Sequence, residues 1–129
     1  GVDRTLMLLD GELKLEHKNH HSKVIPIYDV DRFKGDWDTV SFGKAIDFNL
    51  MSTKNYNTLL SALPFSGNSS FRDRNLTDYT FIFMYKGSLK SNFGKLDQGD
   101  LLVINSNELY ELKTTEDCIT IHLSISLLD

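Results

Sequence analysis

The stretch Leu6-Met7-Leu8-Leu9-Asp10-Gly11-Glu12-Leu13-Lys14 returns at residues 82–90 as Ile82-Phe83-Met84-Tyr85-Lys86-Gly87-Ser88-Leu89-Lys90. Apolar residues, a charge, a glycine, a polar residue, a leucine and a lysine follow in the same order, which suggests two similar β units in one chain. An apolar strand, a turn glycine and a second strand without any shared design would give the same pattern. The Asp10-Gly11 pair also suits a two-residue turn, because Asp tolerates positive φ and Gly has no Cβ to clash. A tight hairpin is expected there.

Working outward, short apolar segments with period-two alternation recur along the chain, separated by turn residues at intervals suited to a β-sandwich or barrel. No long helical period competes, so the fold class is all-β. Strands are expected over 5–9, 12–17, 24–28, 39–42, 45–51, 56–63, 79–86, 88–93, 100–104, 108–113 and 119–127. The stretch 64–78, rich in turn formers such as Ser, Asn and Asp, has no sustained period and reads as a connector. Residues 1–63 and 79–129 would then be two halves sharing one packed body.

The 129 residues suffice for one ordinary domain-sized core, and 40% apolar with 25% charged residues is typical of globular chains. The longest apolar runs, 6–9 and 81–85, are far too short to span a bilayer as a helix. A net charge of −4 gives no positive field to attract a phosphate backbone, which argues against a nucleic-acid partner. One cysteine, Cys118, cannot form an internal disulfide, and no basic-apolar leader is read in these residues, so a cytoplasmic setting is expected.

Candidate chemistry follows from strand faces. Alternate residues point to opposite sides, so Arg4, Leu6 and Leu8 share one face while Asp3, Thr5, Met7 and Leu9 share the other. Asp3 and Arg4 point apart, and each needs an outside partner if buried. Further on, Asp47, Asn49 and Met51 share a face opposite Ile46, Phe48 and Leu50. Arg4, Asp47 and Asn49 are expected either to converge on a ligand, with the guanidinium fork gripping a carboxylate, or to form a plain Arg4–Asp47 ion pair beside a backbone-bonded Asn49.

His17, His20 and His21 sit beside Lys18 and Lys23 at a strand end, which reads as a solvated loop; no metal and no cofactor are expected. Cys118 and His122 would be about 13 Å apart along a regular strand, too far for a nucleophile–base pair. His122 lies on the polar face Thr120, His122, Ser124 and Ser126, which is either solvent-facing or lines a cavity. Phe81, Phe83 and Tyr85 read as core, and Trp37 as the edge of a pocket or a cover over the core. No glycine-rich phosphate loop, Gly-x-Ser-x-Gly elbow or paired-cysteine zinc pattern occurs.

Gly1-Val2-Asp3-Arg4-Thr5-Leu6-Met7-Leu8-Leu9-Asp10-Gly11 resembles the GxDRTLxLLxG signature of the HutD/Ves family, and Asp47-Phe48-Asn49-Leu50-Met51 resembles its DxNxM motif. Gly35-Asp36 lies in the segment between them. Over the second half the likeness rests on the strand pattern and on Leu96-Asp97-Gln98-Gly99-Asp100-Leu101-Leu102, similar to a cupin turn entering a strand. The resemblance implies a bicupin, two cupin-type barrels or jelly rolls in one chain. Family members usually carry a segment before the GxDR motif, with a Trp and an Asn-Gly-Gly stretch, so the first half is expected to lack it here. They also tend to have Arg soon after DxNxM, where this chain has Lys54, a cation without the planar fork of Arg.

HutD-like proteins are associated with bacterial histidine utilisation and with sensing an intermediate such as urocanate or a formylated glutamate; Ves-like relatives are linked to stress. The resemblance therefore implies a small polar or carboxylate-bearing metabolite as partner, a regulatory rather than catalytic role, and Arg4, Asp47 and Asn49 as binding residues, with His122 added from its strand face. The alternatives are a cupin isomerase or hydrolase acting on a small acid or sugar, and a partner-binding module with exposed apolar patches.

Overall fold

The segment Val2–Gly11 is apolar on both faces over Leu6–Leu9, as a central strand requires, and it forms β1. Residues 1–128 are described by the structure, a computed structural model. After β1 the chain makes β2 (Lys14–His17), β3 (Ser22–Val24), β4 (Val30–Lys34), β5 (Thr39–Phe42) and β6 (Ala45–Thr53). It continues as β7 (Tyr56–Phe65), β8 (Ser69–Arg74), β9 (Tyr79–Lys86), β10 (Leu89–Ser91), β11 (Gly94–Leu96), β12 (Leu101–Asn105), β13 (Leu109–Thr114) and β14 (Cys118–Leu127). Among the described residues there is no helix, and the all-β expectation holds.

Two compact units divide the chain between Tyr56 and Asn57. The boundary precedes the stretch 64–78 read as a connector, which carries the end of β7 and the whole of β8.

In the first unit, β4-β1-β6 form one antiparallel sheet and β3-β2-β5 the other. Leu6, Leu8, Leu13, Leu15, Ile25 and Phe33 form its core, with Trp37 packed against them. Burying each such side chain contributes roughly 1.5–3 kcal/mol relative to exposure. Asp3 and Arg4 do point apart: Asp3 pairs with Lys34, its cross-strand neighbour on β4, while Arg4 faces the core side.

The second unit repeats this plan and adds a strand to each sheet, giving β12-β9-β14-β7 and β11-β10-β13-β8. Its core is built on Ile82, Met84, Leu89, Leu96, Ile104 and Leu112. The repeat seen in the sequence is therefore a repeat of structure. In each unit the first copy-strand, β1 or β9, lies centrally in one sheet and the next strand, β2 or β10, lies in the other.

That arrangement corrects the expected hairpin at Asp10-Gly11, because β1 and β2 are not hydrogen-bonded neighbours. Gly11 alone has positive φ (86°), and a Cβ there would sit 2.1 Å from the Lys44 carbonyl oxygen. It lets the chain cross between sheets hard against the start of β6. Gly87 (φ 83°) makes the same crossing, where a Cβ would meet that of Cys118 at 2.7 Å at the start of β14. A bulge precedes each glycine: the β1–β6 register steps from Leu8 to Asp10 past Leu9, and the β9–β14 register steps from Met84 to Lys86 past Tyr85.

Candidate functional site

Arg4 stands on β1 opposite Phe33 of β4 and Met51 of β6. Its guanidinium carbon lies 5.1 Å from the centre of the Phe33 ring, a cation–π contact that fixes the plane of the fork. One Nη donates to Asn49 Oδ1 at 2.9 Å, while Nε is buried and meets no acceptor. No ion pair joins Arg4 to Asp47 among the described residues, so the simple ion-pair alternative does not apply.

Asp47 and Asn49 reach the same place from β6, where period-two alternation puts both on one side of the strand. With Arg4 they line a cavity of about 270 Å³ within the first unit. Thr39 and Ser41 of β5 supply hydroxyls to its wall, and Leu6, Leu13, Leu15 and Phe33 its apolar part. The cavity thus offers a guanidinium with unused donors, a carboxylate, an amide and two hydroxyls over an apolar lining. That is the make-up of a site for a small polar ligand, with orientation set by few polar groups.

His122, the fourth residue expected to bind ligand, belongs to the second unit and is engaged within it. Thr120 Oγ1 donates to the Leu63 carbonyl at 3.1 Å and lies 2.8 Å from His122 Nε2. Because the hydroxyl hydrogen is given to Leu63, His122 Nε2–H is the donor to Thr120, a neutral imidazole. Burial holds its pKa down at about 4. Cys118 is buried, and burial pushes its thiol up, away from the reactive thiolate.

The histidine cluster departs from the solvated loop expected of it. His17 is 3% exposed and continues the inward row Leu13, Leu15, His17. Its Nε2 lies 2.7 Å from Asp31 Oδ2 and its Nδ1 2.7 Å from Thr39 Oγ1. Asp31, buried on β4, also holds His21 Nε2 at 2.7 Å through its other oxygen. His20 instead stacks on Trp37, ring centres 3.7 Å apart. The signal available in the sequence was the alternation itself, which carries His17 inward with Leu13 and Leu15 and sets Asp31 beside inward Phe33.

Compared with known proteins, residues 1–121 match the model of the HutD family. A search of curated proteins finds no match. Among solved structures, a conserved protein of unknown function from Pseudomonas aeruginosa aligns with 100% of this chain and 74% of its own, at 18% identity and a TM-score of 0.81. HutD from Pseudomonas fluorescens aligns with 100% of this chain and 70% of its own, at 19% identity and a TM-score of 0.72. A cupin 2 conserved barrel domain protein from Leptotrichia buccalis aligns with 96% and 74%, at 12% identity and a TM-score of 0.57. At such identities the likeness is one of fold, and it agrees with the bicupin expected.

Proposed function

The chain belongs to the HutD family, and from that premise we propose that it is a small-metabolite-binding protein with a regulatory role, acting in the bacterial cytoplasm in histidine utilisation or a related metabolic response. The observation that carries the reading is the state of Arg4. A guanidinium has five N–H donors, and here one is used on Asn49 while the buried Nε finds no acceptor. An anionic ligand in the cavity would take up the free edge of the fork in a bidentate bond. Asp47 would accept an N–H or O–H from the same ligand, and the hydroxyl of Ser41 would read a remaining polar atom, Thr39 being taken up by His17.

The cavity volume suits a metabolite of roughly amino-acid size rather than a nucleotide or peptide. Urocanate and formylglutamate, the compounds suggested by the family resemblance, each combine a carboxylate with N–H groups. A thermal-shift series with these acids tests the proposal, because a ligand that binds only the native state raises its apparent stability. The expected result is a concentration-dependent rise with at least one of them that Arg4→Met abolishes. No rise with any of these acids, or a rise retained in Arg4→Met, would remove the carboxylate-binding role from this cavity.

A further inference from the structure

We propose that His17, His21 and Asp31 form a binding site for one divalent transition-metal ion of the zinc type. The site adjoins the Arg4 cavity, since Thr39 and Phe33 line that cavity and also touch His17, but it does not rest on the metabolite-binding reading. One ring nitrogen each of His17 and His21 and one Asp31 carboxylate oxygen all lie within 4.8 Å of one another. Three elements bring them together: His17 ends β2, Asp31 sits on β4 in the opposite sheet, and His21 follows a tight turn. In that turn His20 N–H donates to the His17 carbonyl and His17 N–H to the His21 carbonyl, both at 2.9 Å, with Asn19 at positive φ (64°).

The second nitrogen of His17 points the same way. Thr39 Oγ1 is 3.4 Å from the Trp37 carbonyl and 2.7 Å from His17 Nδ1. Thr39 Oγ1 thus fixes the His17 ring from its far nitrogen while Nε2 faces a carboxylate oxygen of Asp31 2.7 Å away. An oxygen fixing the far nitrogen of a ligand imidazole is the usual outer support of a metal-binding histidine. Phe33 and Trp37 hold the His17 ring in place, with ring centres 4.5 and 5.6 Å away.

Zinc lies about 2.0–2.1 Å from imidazole nitrogen and 2.0–2.2 Å from carboxylate oxygen, which sets tetrahedral ligand atoms about 3.3 Å apart, so the two His–Asp contacts must open by roughly 0.6 Å to admit it. His21 provides that movement and the entry path, since its side chain is 43% exposed while His17 and Asp31 are buried. Two imidazoles and one carboxylate suit zinc, iron or manganese and leave at least one coordination position for water or an exogenous ligand.

The experiment is titration of chelator-treated protein with zinc by calorimetry, and with cobalt while following fluorescence. Trp37 is the single tryptophan and its ring lies 5.7 Å from that of His21, so bound cobalt quenches it. One equivalent is expected, with cobalt quenching that zinc reverses. His21→Ala should retain the fold by circular dichroism and weaken zinc binding by about tenfold or more. Asp31→Asn should do at least as much, and His20→Ala should change the affinity little, because His20 is outside the donor set. No uptake of zinc, or uptake unaltered in folded His21→Ala, would overturn the proposal and leave the cluster as a strap of hydrogen bonds between two sheets.

Discussion

The two units share a register but not its contents. In the first, Leu6 opposes Asn49 and Leu8 opposes Asp47; in the second, the repeat partners Ile82 and Met84 oppose His122 and Thr120. Two residues before Leu6 stands Arg4, and two before Ile82 stands Thr80. Arg4, Asp47 and Asn49 thus correspond to Thr80, Thr120 and His122. The first set is charged, leaves donors unused and lines a cavity. The second is neutral and closed upon itself: Thr80 donates to Asn75 Oδ1 at 2.8 Å, and Thr120 joins His122 to the Leu63 carbonyl. The same scaffold thus leaves these groups facing a cavity in the first unit and ties their counterparts into hydrogen bonds in the second.

The sharpest way to break the likeness is at the crossings. Gly11→Ala drives a Cβ to 2.1 Å from a backbone carbonyl oxygen and should cost about 3 kcal/mol or more, whereas Gly87→Ala makes the looser clash, 2.7 Å from Cys118 Cβ and 3.0 Å from the Asp117 carbonyl oxygen, and should cost about 2 kcal/mol. Urea unfolding measures both; equal costs would mean that the two crossings are held by the same contacts.

Acid should separate the units next. His122 has a pKa near 4 when folded against 6.5 for an unburied imidazole. Between these values the unfolded chain binds a proton that the folded unit refuses. Stability is therefore unaffected above pH 6.5 and falls as the pH drops toward 4, by up to about 3 kcal/mol. His122→Asn gives the second unit the amide that the first has at Asn49, and should flatten this part of the pH profile. A profile as steep as that of the parent would assign the acid sensitivity to other groups.

Smaller effects test the contents of the equivalent positions directly. Thr80→Val removes a buried donor to Asn75 and should destabilise by about 1–2 kcal/mol without altering ligand binding. Arg4→Met gives up one bond to an exposed amide and should cost no more than about 1 kcal/mol, while losing the thermal shift with carboxylates. Reversal of that order would mean that Arg4 serves stability and Thr80 does not.

The scaffold was legible in the sequence, but the division between its two units was not: His122 was expected to join Arg4, Asp47 and Asn49 as a binding residue. The repeat, the opposed faces of Asp3 and Arg4, and the shared face of Asp47 and Asn49 follow from period two alone. Strand β4 escaped because its inward positions are Asp31 and Phe33, and a buried carboxylate breaks the apolar row that announces a strand. Strand β8 escaped because an edge strand rich in Ser, Arg and Asp looks like a loop until β13 is found beside it. The hairpin at Gly11 was misplaced for a different reason: positive φ serves a sheet-to-sheet crossing as well as a turn, and only long-range pairing distinguishes them. The partners of His17 come from β4 and β5, beyond the reach of local pattern.

That long-range pairing also has a consequence in time. Arg4 and Asn49 meet across 45 positions of chain, and β1 finds no partner until β4 and then β6 are present. Closing such loops before any reward arrives makes folding slow. During synthesis the run Leu6–Leu9 emerges with both backbone edges bare, and the Arg4 cavity exists only once residue 49 has joined it. The strand that anchors the cavity is therefore the one most exposed to misassociation before the first unit closes.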